Sequence, residues 1–208
     1  MTTQTKESQA ALDPNGAITL LKEGNKRFVQ SSMQNRDLIQ QVKETTTGQY
    51  PFATILSCID SRVSAELVFD QGVGDIFSAR VAGNIVNADL LGSMEFACKL
   101  AGTKVIVVLG HTSCGAVKGA CDDARLGNLT LLLSRIRAAV DAVPEPTEAA
   151  DRTSKNADFV NAVAEKNVAL TIENIRNQSP VLKDMEEMGE IKIVGAMYDI
   201  ADGKVHWL

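Results

Sequence analysis

The sequence is poor in aromatic side chains, has no long apolar run and carries no excess of positive charge. Aromatic residues make up only 4% of the 208 residues, so we expect an aliphatic core. No stretch approaches the roughly 18 consecutive apolar residues that a transmembrane helix needs, which argues against a membrane as partner. The formal net charge of −5 argues equally against nucleic acid as the main partner.

A secretory signal and a redox motif are also missing. The first residues, MTTQTKESQAALDP, lack the apolar segment of a signal peptide, so we expect a cytoplasmic protein, or a periplasmic one if a signal has been removed. No Cys-x-x-Cys motif is present, which argues against a thiol redox protein. In this setting the four cysteines are predicted to be reduced thiols or metal ligands. Cys98 lies in an apolar helical stripe, where a thiol usually packs as a small apolar side chain. Cys121 lies seven residues after Cys114 on a predicted helix, where it is expected to pack in the same way but could approach a site formed by Cys114.

Apolar segments of strand length alternate with helical patterns along most of the chain. Four segments have this strand character: FATILS (52–57), DIFSARVAG (75–83), KVIVVLG (104–110) and IKIVGAMYDI (191–200). The alternation predicts an α/β fold, a mainly parallel β-sheet flanked by helices. Asp202-Gly203 near the end predicts a tight turn and a C-terminal hairpin. We expect a single domain, 1–208, with an N-terminal helical arm at 1–48 and an α/β core at 49–208.

The N-terminal arm has no obvious place in a minimal α/β layer. Residues 1–12 are polar and predicted to be loosely ordered. Asp13-Pro14 is a typical cap and first-turn pair, which predicts the start of a helix. Because arms of this kind often pack on a neighbouring subunit, the arm predicts a homo-oligomer.

Two of the predicted buried strands end in side chains that bind metals. Cys58 follows the first strand, and His111 and Cys114 follow the strand KVIVVLG. Because the carboxyl ends of parallel strands meet at one edge of a sheet, these three side chains can lie together. Two thiolates and one imidazole suit Zn²⁺, and three protein ligands leave a fourth position for water or substrate. The pattern therefore predicts a catalytic zinc site.

A carboxylate and a guanidinium follow the first cysteine directly. In an extended segment, Asp60 and Arg62 project to the same side, where Arg62 can hold Asp60 by a charge-assisted pair. Asp60 is close enough to Cys58 to be a fourth zinc ligand, or to hydrogen-bond a hydroxide held there. A plain surface ion pair is the alternative interpretation of the same residues.

The motif Cys58-x-Asp60-x-Arg62 followed by His111-x-x-Cys114 resembles the signature of the β-class carbonic anhydrases. Longer segments occur in family order with family-like spacing: CIDSRV, GDIF, SARVAGN, SMEFA and VIVVLGHTSCGAVKG. The resemblance is specific over residues 49–120 and weaker over nearly the whole chain. It implies a zinc enzyme that hydrates CO₂ reversibly to bicarbonate and a proton, with Asp60 and Arg62 as its catalytic dyad.

Further roles follow from the resemblance alone. Gln49 matches the family's substrate-binding glutamine, and Phe77 and Phe96 match aromatic positions that line the CO₂ pocket. Gly115 follows the cysteine ligand, as it does in the family. Without the resemblance, Gln49 would be read as a loop residue and the two phenylalanines as core. The family forms dimers through swapped N-terminal helices and often pairs them into tetramers, which implies the same here.

The chain departs from parts of the family at two positions. Ile55 stands where a subgroup with a bicarbonate-inhibited, closed site carries Trp, so this chain is expected to belong to the open-site subgroup. Asp60 would be a fourth zinc ligand only in a closed state. Val81 stands where many relatives carry Asn. Two alternatives keep the zinc: hydrolysis of COS or CS₂ on the same scaffold, and a non-catalytic zinc-binding regulatory module. The Asp60–Arg62 pair argues against the module.

Overall fold

Five strands form one sheet in the computed structural model, which describes residues 3–208. The strands are β1 (Ala53–Ser57), β2 (Ile76–Arg80), β3 (Val105–His111), β4 (Lys192–Tyr198) and β5 (Val205–Trp207). Their spatial order is β2-β1-β3-β4-β5; the first four are parallel, and β5 runs antiparallel to β4. The predicted α/β class with a mainly parallel sheet is confirmed.

Nine α-helices lie among the described residues. They are α1 (Lys6–Ala11), α2 (Pro14–Val29), α3 (Leu38–Glu44), α4 (Ala65–Val68), α5 (Ala88–Glu95), α6 (Gly115–Cys121), α7 (Gly127–Ala142), α8 (Ala157–Gln178) and α9 (Pro180–Glu187). A π-helical turn, Phe96–Leu100, continues α5, and short 3₁₀ turns span Ala82–Asn84 and Ala149–Asp151. None of the helices described for residues 3–208 combines the length and apolar character needed to cross a bilayer.

The two central strands are buried along their whole length, and their pairing aligns the site. Every residue of β1 and β3 is buried, because helices cover both faces of the sheet. In the parallel pairing Ser57 stands opposite Leu109. Cys58, one residue past β1, therefore lies level with Gly110 and one residue short of His111. The register alone brings the two predicted ligand segments to the same edge.

Helix α2 packs on the sheet of its own chain, in the core next to α4. Asp13 caps it by accepting a hydrogen bond from Gly16 N at 2.6 Å, with Pro14 in the first turn as predicted. Ala17 and Leu21 are fully buried in the core that β1, β3 and β4 share with α4. The expectation that the arm has no place in the α/β layers is therefore wrong for α2. The short helix α3 differs, because it exposes its apolar side chains.

Residues 6–11 form a helix, contrary to the expectation that residues 1–12 are loosely ordered. Thr5 caps α1 by accepting from Ser8 N at 3.2 Å. The buried amide of Gln9 donates to Pro51 O at 2.7 Å and to Ala101 O at 2.8 Å, which ties α1 to the sheet layer. Met1 and Thr2 lie outside the described residues.

The predicted C-terminal hairpin is present, but its connection is longer than a tight turn. Asp199 N donates to Lys204 O at 2.8 Å, which closes a loop between β4 and β5. Gly203 lies in this loop with a φ of 78°, a conformation that favours glycine.

The seating of α2 can be tested at Gly24, where a Cβ would lie 1.8 Å from the Phe69 carbonyl oxygen. Gly24→Ala should lower the free energy of unfolding by about 3 kcal/mol, because backbone atoms cannot move aside cheaply. Urea denaturation measures the loss. Gly92→Ala in α5 is the control, since apart from its chain neighbours and its own helix backbone no atom of residues 3–208 lies within 4 Å of the added Cβ, and it should be neutral or stabilising by about 0.5–1 kcal/mol. Equal stability of Gly24→Ala and the parent would contradict this seating of α2.

Candidate metal centre

Three buried side chains converge at the carboxyl edge of the sheet. The donor atoms of Cys58, His111 and Cys114 all lie within 4.8 Å of one another. The two sulfurs are 4.0 Å apart. Within residues 3–208, no other group of three or more His, Cys, Asp or Glu side chains brings its donor atoms together in this way. The structure thus assembles the three residues predicted as metal ligands.

The imidazole of His111 is oriented for metal binding. Strand β3 continues through His111, one residue beyond the end expected at Gly110. Nδ1 lies 2.9 Å from Thr112 O, and because a carbonyl only accepts, Nδ1 carries the proton. The other ring nitrogen, Nε2, is buried and has no hydrogen-bond partner among residues 3–208. An unpaired buried nitrogen is costly, and a metal ion at this point satisfies it.

The thiols of Cys58 and Cys114 are hydrogen-bonded to each other, so their ionisation is linked. The hydrogen bond from Cys114 lowers the pKa of Cys58, and the Gly83 N–H, 3.4 Å from the Cys58 sulfur, supports the thiolate. The same hydrogen bond and the charge on Cys58 raise the pKa of Cys114. Without a cation, the arrangement therefore favours one thiolate and one thiol. A bound cation would stabilise the second thiolate and release the thiol proton.

Asp60 and Arg62 form a two-point ion pair beside the ligand group. Arg62 Nε donates to Asp60 Oδ1 at 2.9 Å, and Nη2 donates to Oδ2 at 2.7 Å. These hydrogen bonds hold the pKa of Asp60 well below its usual range. Asp60 Oδ2 lies 3.9 Å from His111 Nε2. The structure therefore places an ionised, immobilised carboxylate next to the metal ligands.

The local geometry of this pair differs from the extended segment expected. Asp60 O accepts from Val63 N at 3.0 Å, which closes a turn. The Asp60 side chain also accepts from Arg62 N at 3.0 Å, as aspartates commonly do in turns. The turn, rather than strand alternation, brings the two side chains together.

Arg80 and Gly83 support the segment that carries Cys58. Arg80, the last residue of β2, donates to Cys58 O at 3.0 Å and to Asp60 O at 2.7 Å. Gly83 has a φ of 71°, and a Cβ there would lie 2.5 Å from Ile136 Cδ1. In the sequence, Arg80 was noticed only as part of a family-like segment. Its position at the end of the strand next to β1 could have indicated that it contacts the segment after Cys58.

The residues predicted to bind substrate are not all brought to the ligand group of their own chain. Gly115 follows Cys114 directly, as the exposed first residue of α6. Gln49 is exposed and precedes β1, at the opposite end of that strand from Cys58. Phe77 lies three residues before the end of β2, about 10 Å short of the carboxyl edge. Its ring stands edge-on to Phe96, with the ring centroids 6.3 Å apart.

The remaining cysteines and the second histidine lie outside the ligand group. Burial raises the pKa of Cys98 to about 11, and its sulfur lies 3.3 Å from Thr103 Oγ1. Burial likewise raises the pKa of Cys121, at the end of α6, to about 11. His206 is exposed on β5. Cys98 and Cys121 are therefore buried thiols, as expected from their helical patterns.

Comparison with known proteins gives a consistent family. A family model described as carbonic anhydrase matches residues 53–205. The chain is 35% identical over 193 residues to carbonic anhydrase 2 of Mycobacterium tuberculosis, covering 92% of this chain and 91% of that protein. It is 34% identical over 194 residues to a carbonic anhydrase of Mycolicibacterium smegmatis, covering 93% and 92% of the two chains.

Solved structures agree with the family match. The β-carbonic anhydrase CafA of Aspergillus fumigatus has a TM-score of 0.71 and 27% identity, covering 93% of this chain and 89% of its own. One of two tetrameric β-carbonic anhydrases of Sordaria macrospora has a TM-score of 0.70 and, at 23% identity, supports the fold alone; the match covers 93% of this chain and 97% of that one. With the family model spanning the sheet and curated relatives aligned over nearly their full length, the chain belongs to the β-class of the carbonic anhydrase family.

Proposed function

We propose that this chain catalyses the reversible hydration of CO₂ to bicarbonate and a proton, with Zn²⁺ held by Cys58, His111 and Cys114. One observation carries the metal assignment: the three donor atoms are buried, lie within 4.8 Å of one another and include an unpaired His111 Nε2. Two thiolates and one imidazole are a donor set that fits Zn²⁺. Family membership supports CO₂ as the substrate.

When bound, Zn²⁺ lowers the pKa of a coordinated water towards 7 and so supplies a hydroxide nucleophile near neutral pH. The chain's own groups must then orient the reactants. The Asp60 carboxylate, 3.9 Å from His111 Nε2, stands where it can accept a hydrogen bond from a group at the metal. Because its pKa is held well below the usual range, Asp60 stays ionised at neutral pH. Asp60 is too weak a base to keep a proton, so it would act as a hydrogen-bond acceptor that orients a group at the metal.

Arg62 fixes the carboxylate in this role. Its side chain holds both Asp60 oxygens, at 2.9 and 2.7 Å, and a two-point pair sets orientation as well as charge. If Arg62 were lost, Asp60 could turn onto the metal as a fourth ligand and close the site. With a metal bound, the pair would therefore keep Asp60 away from it and leave room there for water and substrate.

The predicted substrate pocket calls for a second copy of the chain. Gln49, Phe77 and Phe96 lie away from the ligand group of their own chain, so a role for them in CO₂ binding requires the metal centre of a neighbour. Strand β2 is an edge of the sheet and can pair with another chain. Helix α3 exposes apolar side chains suited to burial, namely those of Leu38, Ile39 and Val42. We therefore propose a homodimer or homotetramer; the Sordaria macrospora relatives are described as tetrameric.

Other features of the proposal rest on the sequence. The cytoplasmic location, the absence of a nucleic-acid partner and the substrate-binding role of Gly115 stay predictions. COS and CS₂ are apolar molecules of similar shape to CO₂, so the experiment on function includes them.

Stopped-flow CO₂ hydration, with zinc content measured on the same sample, tests the proposed function. We expect about one zinc per chain and a kcat/KM within the range of about 10⁴–10⁸ M⁻¹s⁻¹ of ordinary enzymes. Cys58→Ser and Cys114→Ser should lose metal and activity together, because each removes a thiolate ligand.

Cys98→Ser is the matched control, since Cys98 is buried and lies outside the ligand group; it should keep both zinc and activity. Full zinc occupancy in both ligand variants would refute the metal assignment. A zinc-loaded protein that is inactive on CO₂ but turns over COS or CS₂ would refute the substrate.

A double-mutant cycle tests whether Asp60 and Arg62 act as one unit. Asp60→Asn should lower kcat/KM by about 10²-fold, because the neutral amide is a weaker acceptor. Arg62→Ala should be similarly slow with zinc retained, because Asp60 is freed to occupy the fourth position. At neutral pH protonation cannot explain this loss, since even an unsupported aspartate has a pKa of about 4.

The double variant should be about as impaired as the worse single variant, since either change already breaks the unit. Arg137→Ala is the control, because Arg137 makes an exposed ion pair with Asp141; its activity should match the parent. Losses that multiply in the double variant would show independent roles. Near-parental activity of Asp60→Asn would remove the carboxylate from the mechanism.

A further inference from the structure

The segment that joins His111 to Cys114 is held in a conformation that a non-glycine residue avoids without support. Ser113 has a φ of 55°, in the left-handed region. Its N–H donates to Asn161 Oδ1 of helix α8 at 3.0 Å. Because a backbone N–H can only donate, Asn161 must present its oxygen here. This side chain holds the turn that sets the spacing of two ligands.

The 3₁₀ turn that contains Gly83, next to the Cys58 sulfur, is hydrogen-bonded to the same helix. The Asn167 side chain is buried, and its Nδ2 donates to Gly83 O at 2.8 Å. Gly83 N in turn donates to Cys58 Sγ at 3.4 Å. Because a carbonyl can only accept, Asn167 must present its nitrogen. Helix α8 therefore contacts the turn between His111 and Cys114 directly and Cys58 through Gly83, with one asparagine using its oxygen and the other its nitrogen.

We propose that Asn161 and Asn167 are positioning residues for the metal centre, setting the affinity for zinc through the segments they hold. Helix α8 is suited to this because it spans 22 residues and packs its apolar side chains in the core beside β3 and β4. Groups that orient metal ligands change metal affinity by about 10–100-fold when they are removed. The inference rests on the proposed zinc site, and it assigns a role to residues that touch neither metal nor substrate.

Replacement of each asparagine by aspartate, which is almost the same size, separates the effect of the hydrogen bond from the effect of side-chain size. Asn161→Asp keeps an acceptor for Ser113 N–H, so zinc affinity should stay close to that of the parent. Asn167→Asp sets an acceptor against the Gly83 carbonyl, so the zinc Kd should rise by about 10–100-fold. Leucine is similar in size and offers neither atom, so Asn161→Leu and Asn167→Leu should both weaken zinc binding. The exposed Asn174 of the same helix provides the control Asn174→Asp.

The measurement is the zinc Kd by competition with a chromophoric chelator, on variants whose folding is verified by circular dichroism. The expected result is tolerance of aspartate at Asn161, intolerance at Asn167 and weakened binding in both leucine variants. If Asn167→Asp fails to fold, Asn167→Leu carries the test at that position. Parental affinity in both leucine variants, or equal effects of aspartate and leucine at Asn161, would overturn the inference. A parent protein that binds no zinc would overturn the proposed function as well.

Discussion

The burial of two thiols 4.0 Å apart is the constraint on which the rest of the site depends. Cys58 and Cys114 cannot both ionise in a buried position without a counter-charge, because an unpaired buried charge is strongly unfavourable. His111 adds a buried nitrogen that has no hydrogen-bond partner in the part of the chain that the structure describes. A divalent cation resolves both problems at once. The surrounding hydrogen bonds can then be understood as means of holding three ligand atoms around one point.

The fold supplies that point through the order of its strands. β1 and β3 are neighbours and parallel, so residues 56 positions apart in sequence meet at one edge of the sheet. Arg80, at the end of the neighbouring strand β2, donates hydrogen bonds to the carbonyl groups of Cys58 and Asp60 and so fixes the segment after β1. The turn after Cys58 then places Asp60 beside the ligands with its charge already paired to Arg62. The geometry of the candidate site is thus built from backbone register first and from side-chain pairs second.

The sequence was informative where a residue's role depends on its own strand or helix. Val105 to Leu109 are apolar without alternation, which is enough to predict a strand covered on both faces, and the ligands follow from where such strands end. Contacts between distant segments were not predictable. Gln9 is ordered by carbonyl groups 42 and 92 residues away, and nothing local marks it. Asn161 lies 48 residues from Ser113 in an ordinary helical pattern. Side chains that bind a remote backbone leave no periodic signal.

In the proposed site, two thiolates and one imidazole bind a single zinc ion and leave one position open. Extended X-ray absorption at the zinc edge measures this directly on the protein loaded with one equivalent of Zn²⁺ at neutral pH. We predict two sulfur atoms at about 2.3 Å from the zinc, one imidazole nitrogen at about 2.0–2.1 Å and one further light atom. A shell with fewer than two sulfur atoms, or one without imidazole scattering, would contradict it.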